Sequence, residues 1–314
     1  MSLAVLPNWL QDEPEQASTE ARFYGYAIVD AAQDQRLPKA LSAQHSACLL
    51  GTDVTIQQAS PHLVALGEQT QLNTGTLRHL ARQWAGTSCV ILLRSQLDFD
   101  ALLQHLIDHV EVKVNKSTTM LLAWWDPAIL APVLGEPADS SNYVEGPIFT
   151  EQQRHSFLAS IENIAWWNRA GELQQSSLSH LEESAPAEEH ANEAPMLPLQ
   201  LEPWQTRMIV KATLPDQVLY EIGLNQPALL NKRDALENYA LTCELLDVAE
   251  GYGIKAKQEQ VSFVGAGFML GERFYDVPFV HERLVQAKKN GESFGNVLRS
   301  LNSEDIKIII EADK

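Results

Sequence analysis

Five short apolar runs, each ending in a polar or turn residue, constrain the first half of this chain most. They are Tyr24 to Ala32, Leu49 to Asp53, Ser60 to Val64, Cys89 to Ser95, and Leu121 to Pro127. Such runs are too short to be helices standing alone. Their aromatic and β-branched content suits strands bounded by turns. Between the last two runs lies the clearest helical pattern in the chain. Phe99, Leu102, Leu103, Leu106, Ile107 and Val110 recur at three- and four-residue spacing and form one apolar stripe. Asp98 and Asp100 suit its N-terminal end, where carboxylates complement the helix dipole. Cys89 to Leu93 is continuously apolar, which predicts a central strand covered on both faces.

More elements follow from the same reasoning. Glu111 to Val114 and Thr118 to Trp125 read as two strands around a turn at Asn115-Lys116. Glu151 to Ile161 reads as a helix. Ile164 to Arg169 and Glu172 to Gln175 read as a hairpin bent at Ala170-Gly171. The first 175 residues therefore predict an α/β lobe with a mixed sheet.

A boundary follows at 176–200. That stretch holds five acids and no Lys or Arg, interleaved with Ser, Ala and Pro. It has too little apolar surface to offset its ordering entropy, so it reads as an acidic, flexible linker. Residues 201–314 read as a smaller, all-helical lobe. Asp234 to Glu250 places Leu236, Tyr239, Ala240, Cys243 and Leu246 on one face, with Gly251 as a left-handed stop. Pro278 suits the first turn of a helix ending near Gly291. Ser293 and Ser303 each suit a helix start.

Composition removes several function classes. The chain of 314 residues carries a net charge of −18. A nucleic-acid binder needs a basic stripe against phosphate, and an anionic membrane repels such a protein. Neither nucleic acid nor membrane is an expected partner. A basic protein partner, or simple solubility, fits the charge. Cys48, Cys89 and Cys243 sit in apolar runs, with no CxxC pair, as in a reduced cytoplasmic protein. The N-terminus has no signal-peptide pattern, and no run reaches the ~20 apolar residues of a membrane span.

Four constellations invite chemistry. Gly265 to Gly271 is spaced GxGxxxG, which is not the dinucleotide fingerprint, and its surroundings look helical. Small residues at Gly267 and Gly271 instead suit close helix packing. His105 and His109 have the i, i+4 spacing of a metal pair, but no third ligand is apparent, so a solvated helix face is expected. Asp30, Asp34, Asp53 and Asp126 end strand-like runs. They suit turns and caps, or acid–base catalysis in a cleft between lobes, which is the alternative enzyme reading. Trp124-Trp125 and Trp166-Trp167 are candidate partner-binding residues. Neighbours in a strand point to opposite faces, so one Trp of each pair can fill the core while the other faces a partner, unless a second layer buries both. No catalytic, cofactor-binding or metal-binding residue is assigned, and no cofactor is expected.

The order of the runs resembles the type VI secretion effector chaperones, adaptors of the Tap or TEC type. Their opening strand ends in Leu-Asp-Gly or Leu-Asp-Ala, matched by Ala27 to Ala31. Their Gly-Thr and Pro-x-Leu-Val segments are matched by Leu50-Gly51-Thr52 and Pro61-His62-Leu63-Val64. Their Leu-Leu-Arg-Ser strand before a Leu-rich helix is matched by Leu92 to Ser95 and Leu102 to Ile107. Their Arg-Phe-Tyr-Asp-Pro segment corresponds to Ala123 to Pro127, with Ala at 123 in place of Arg. Their Gly-Pro-Ile segment is matched by Gly146-Pro147-Ile148. The C-terminal likeness is confined to Tyr252-Gly253-Ile254 and the stretch from Phe263 to Gly271. The resemblance implies a cytoplasmic, non-enzymatic adaptor of a Gram-negative bacterium. It would bind a toxic effector and load it onto the spike protein VgrG.

Overall fold

The computed structural model describes residues 6–10, 22–34, 36–37, 45–68, 74–84, 87, 89–177 and 196–312. The chain divides into two units, Met1–Ala212 and Thr213–Lys314. The division falls inside the 23-residue helix Pro203–Asn225, a little beyond the boundary at 201 that the sequence suggests. Of the stretch read as a linker, residues 178–195 lie outside the described residues. Its two ends, Ser176-Ser177 and Leu199–Gln200, lie in strands.

The first unit is built on a six-stranded sheet. Its strands are β1 (Tyr24–Asp30), β2 (Ser46–Cys48), β3 (Pro61–Glu68), β4 (Val90–Ser95), β7 (Asn163–Trp167) and β8 (Leu173–Ser177), in the order β2-β3-β1-β4-β7-β8. Every pairing in it is antiparallel. The parallel component lies in a second, three-stranded sheet. There β5 (Glu111–Lys113) pairs antiparallel with β6 (Thr119–Leu121) and parallel with β9 (Leu199–Gln200).

Two-residue alternation sorts the large sheet into two cores. Tyr26, Ile28, Leu63, Ile91, Leu93, Ile164 and Trp166 face one way. There they meet Leu102 and Leu106 of helix Phe99–Asp108, Phe157 and Leu158 of helix Glu151–Leu158, and the apolar helix Pro127–Leu134. Ala27, Val29, Val64, Leu92, Ala165 and Trp167 face the other way, against Leu10, Leu37, and Leu77 of helix Thr74–Trp84. β4 is thus the doubly covered central strand that its unbroken apolar run predicts.

The helix Pro127–Leu134 escapes sequence pattern because all eight of its residues are buried and Pro132 interrupts it. Its ends are well specified. The Asp126 carboxylate accepts from Ala128 N at 2.9 Å, Pro127 opens the first turn, and Gly135 closes it at φ +74°. The Gly146 to Phe149 segment docks on its last turn. Ile148 N donates to Pro132 O at 2.9 Å and Phe149 N to Val133 O at 3.1 Å. A Cβ on Gly146 would lie 2.2 Å from Pro132 O, so only glycine permits this approach.

The described second unit is helical. After the end of Pro203–Asn225 come Ala235–Gly251, Lys257–Leu270, Pro278–Asn290, Phe294–Ser300 and Ser303–Ala312. Asp234 caps the first of these reciprocally with Glu237. The left-handed stop is Gly253 at φ +80°, not Gly251, and Ile254 N returns to Ala249 O at 2.9 Å. Phe294 N bonds to Glu259 Oε1 at 3.0 Å, so that carboxylate replaces the expected Ser293 cap. Asn302 caps the helix that starts at Ser303, accepting from the backbone N–H of Glu304 and Asp305. The aromatic nucleus is Phe263, with the Phe274 and Phe294 rings each centred 5.0 Å from it.

Candidate functional site

The two Trp pairs are part of the core. Trp166 and Trp167 obey strand alternation and enter opposite cores, at 0% and 2% exposure. The outward face expected for one of them is covered, because a second layer lies on each side of the sheet. Trp124 and Trp125 have left the strand, since β6 ends at Leu121. They occupy the turn before helix Pro127–Leu134, at 0% and 5% exposure, and share one core. The indole N–H groups of Trp124, Trp166 and Trp167 are buried without an acceptor. These side chains fill volume, and the free protein presents none of the four as an exposed anchor.

His105 and His109 also differ from expectation. They do not lie on a solvated face. His109 is buried and His105 half-buried, with ring centroids 4.6 Å apart. His105 Nε2 contacts Phe157 O at 2.8 Å. His109 Nδ1 contacts His105 O at 2.8 Å, and its Nε2 contacts Ser156 Oγ at 3.2 Å. Burial pushes the His109 pKa down to about 4, and that of His105 down as well. Both rings join helix Phe99–Asp108 to helix Glu151–Leu158. Among the described residues, no group of three or more His, Cys, Asp or Glu is placed to hold a metal ion.

The strand-end acids serve turns and caps. Asp30, buried, accepts from Ala32 N at 2.9 Å, and burial raises its pKa. Asp34 pairs with Arg36. Asp53 caps the four-residue helix Val54–Gln57, and its hydrogen bonds with Thr55 lower its pKa. Asp126 caps as described above. Cys89 is buried, which raises its thiol pKa, and Cys48 and Cys243 are half-buried. No disulfide joins them. Gly267 lies in helix Lys257–Leu270, where an added Cβ would meet Leu245 Cδ1 at 2.4 Å. This is the close helix approach expected at that position.

The feature that sequence reading misses is a groove of about 1050 Å³ in the first unit. One wall is β2 with the loop through Leu50-Gly51-Thr52 to Ile56. The other is Leu103 and Ile107 of helix Phe99–Asp108, continued by Val110, Glu111 and Leu121. Leu197 and Pro198 complete it. Among the described residues, its charged lining residues are Asp108 and Glu111. Ile56, Leu121 and Leu197 are large apolar side chains left exposed on it, and Val54 and Met196 are exposed beside them in sequence. No motif could reveal this surface, because five separated segments make it.

Residues 25–141 match the model of a family described as "Domain of unknown function (DUF4123)". No curated protein and no solved structure matches the chain. The matched segment contains β1 from its second residue, β2 to β6, and every residue lining the groove except Leu197 and Pro198. Among the described residues, no helix is long and apolar enough to cross a membrane.

Proposed function

We propose that this chain is a cytoplasmic adaptor that binds a type VI secretion effector and loads it onto the spike protein VgrG. One observation carries the reading. The DUF4123 match over 25–141 falls on the stretch where five of the six quoted segments resemble the effector chaperones. Domains of this family are commonly linked to type VI effector adaptors. The surroundings of the candidate catalytic residues favour a binding role over a catalytic one. Strand-end acids are engaged in caps, and the His pair is engaged with backbone and Ser156. We assign the protein no reaction of its own.

The test is deletion in the native strain. Delivery of one cognate effector should be lost while the secretion machine still fires. Normal delivery of every effector would overturn the adaptor reading.

A further inference from the structure

Among the described residues, the outer edge of β2 is an open pairing template. His45 O accepts from Ala65 N at 2.8 Å, and Leu49 N donates to Pro61 O at 3.0 Å. Bonded and non-bonded pairs alternate along an antiparallel ladder, so Ala47 bonds inward to Leu63. Ser46 and Cys48 therefore turn their N–H and C=O groups away from β3. Among the described residues no strand lies beyond β2, which ends the sheet order. Open edges recruit extended chains through main-chain hydrogen bonds, and pockets for alternate side chains add selectivity.

The groove beside this edge supplies such pockets. A strand added to β2 would direct every second side chain toward Leu103, Ile107 and Leu121. Asp108 and Glu111 on the same wall are the charged residues among its described lining, and both are negative. An acidic segment would be repelled and a basic one attracted, in keeping with the net charge of −18. A small-molecule site would need convergent polar groups to orient its ligand, and this lining has few.

We infer that this groove takes an extended segment of the carried protein as an added strand on β2, with apolar side chains and a Lys or Arg together on the face turned to the groove. Naming the carried protein as the source rests on the adaptor reading. The edge, the pockets and the charge preference do not.

The probe is a fluorescein-labelled peptide, Thr-Val-Thr-Lys-Thr-Ile-Thr, which puts Val, Lys and Ile on one face, compared with Thr-Val-Thr-Glu-Thr-Ile-Thr by fluorescence anisotropy on the full chain. The Lys peptide should bind and the Glu peptide should not. Joint substitution of Asp108→Lys and Glu111→Lys should reverse the preference by about tenfold or more. Ser46→Pro removes an outward N–H without breaking a bond to β3, so it should weaken Lys-peptide binding at unchanged melting temperature. If that variant melts early, the charge-reversed variant decides alone. Failure of wild type to bind either peptide, equal binding of both, or an unreversed preference in the charge-swapped variant would overturn the proposal.

The adaptor reading is judged separately, in the native strain. If deletion abolishes delivery but the charge-reversed protein restores it fully, the groove assignment falls and the adaptor reading stands. If deletion leaves all delivery intact, the adaptor reading falls and the peptides alone judge the groove.

Discussion

The two units solve the burial problem differently. The first joins residues far apart in sequence: β1 pairs with β4, and β4 with β7 more than sixty residues on. Each face of its large sheet is then covered by its own core. The second unit stacks helices that follow one another along the chain, with contacts such as Gly267 on Leu245. A doubly covered sheet leaves a partner its edges and the grooves beside them. Several exposed apolar side chains of the first unit, Ile56, Leu121 and Leu197, lie at such a place. In the second unit Tyr220, Leu224, Leu236, Met269 and Ile308 are exposed on four different helices.

The sharpest way to break this contrast is to empty the first unit's core. Trp124→Ala and Trp166→Ala should each cost about 3–5 kcal/mol of folding stability. Denaturant unfolding followed by Trp fluorescence checks this. A variant with unchanged stability would mean that the indole is not enclosed.

Acid should act through His105 and His109. Burial favours their neutral forms, so the folded state binds protons less readily than the unfolded state. The contribution of His109 is complete above the ordinary histidine pKa of about 6.5 and is lost as pH falls toward about 4, and that of His105 is lost in the same direction. The loss for His109 should reach up to about 3 kcal/mol at the acid end of that window. A His109→Gln variant should show a flatter stability profile between those limits. An unchanged profile would contradict the burial argument.

Gly146→Ala should cost about 1–3 kcal/mol, because its Cβ would strike backbone at Pro132 O. Gly267→Ala should cost less, about 1 kcal/mol, because its Cβ meets the movable end of Leu245. Thermal melts of the two variants give the comparison. Equal losses would show that the helix contact is as rigid as the docked loop.

What the sequence makes legible is local period. The stripe from Phe99 to Val110 specifies a helix with Asp98 as its cap, and the apolar run at β4 specifies a central strand. The hairpin at Gly171 and the helical second unit are equally plain. The resemblance stated from the ordered segments lies mostly on the matched domain.

Tertiary cover is not local and stays hidden. Period two tells that Trp166 and Trp167 face opposite ways. It cannot tell that Leu10, Leu37 and Leu77 close the second face. Trp124 and Trp125 read as strand until the Asp126-Pro127 start of a fully buried helix turns the chain there. His105 and His109 lie off the main apolar stripe, yet a second helix covers them. The groove has no sequence signature for the same reason.

The first unit closes both faces of its large sheet and, among the described residues, leaves the β2 edge unpaired. Amide hydrogen exchange in the free protein, read residue by residue by NMR, tests it most directly. Ala47, Leu49 and the amides of β4 should exchange slowly, while Ser46 and Cys48 exchange at nearly the rate of an unprotected chain. Slow exchange at Ser46 and Cys48 would show the edge already occupied, and fast exchange across β4 would show the faces open; either result contradicts the account.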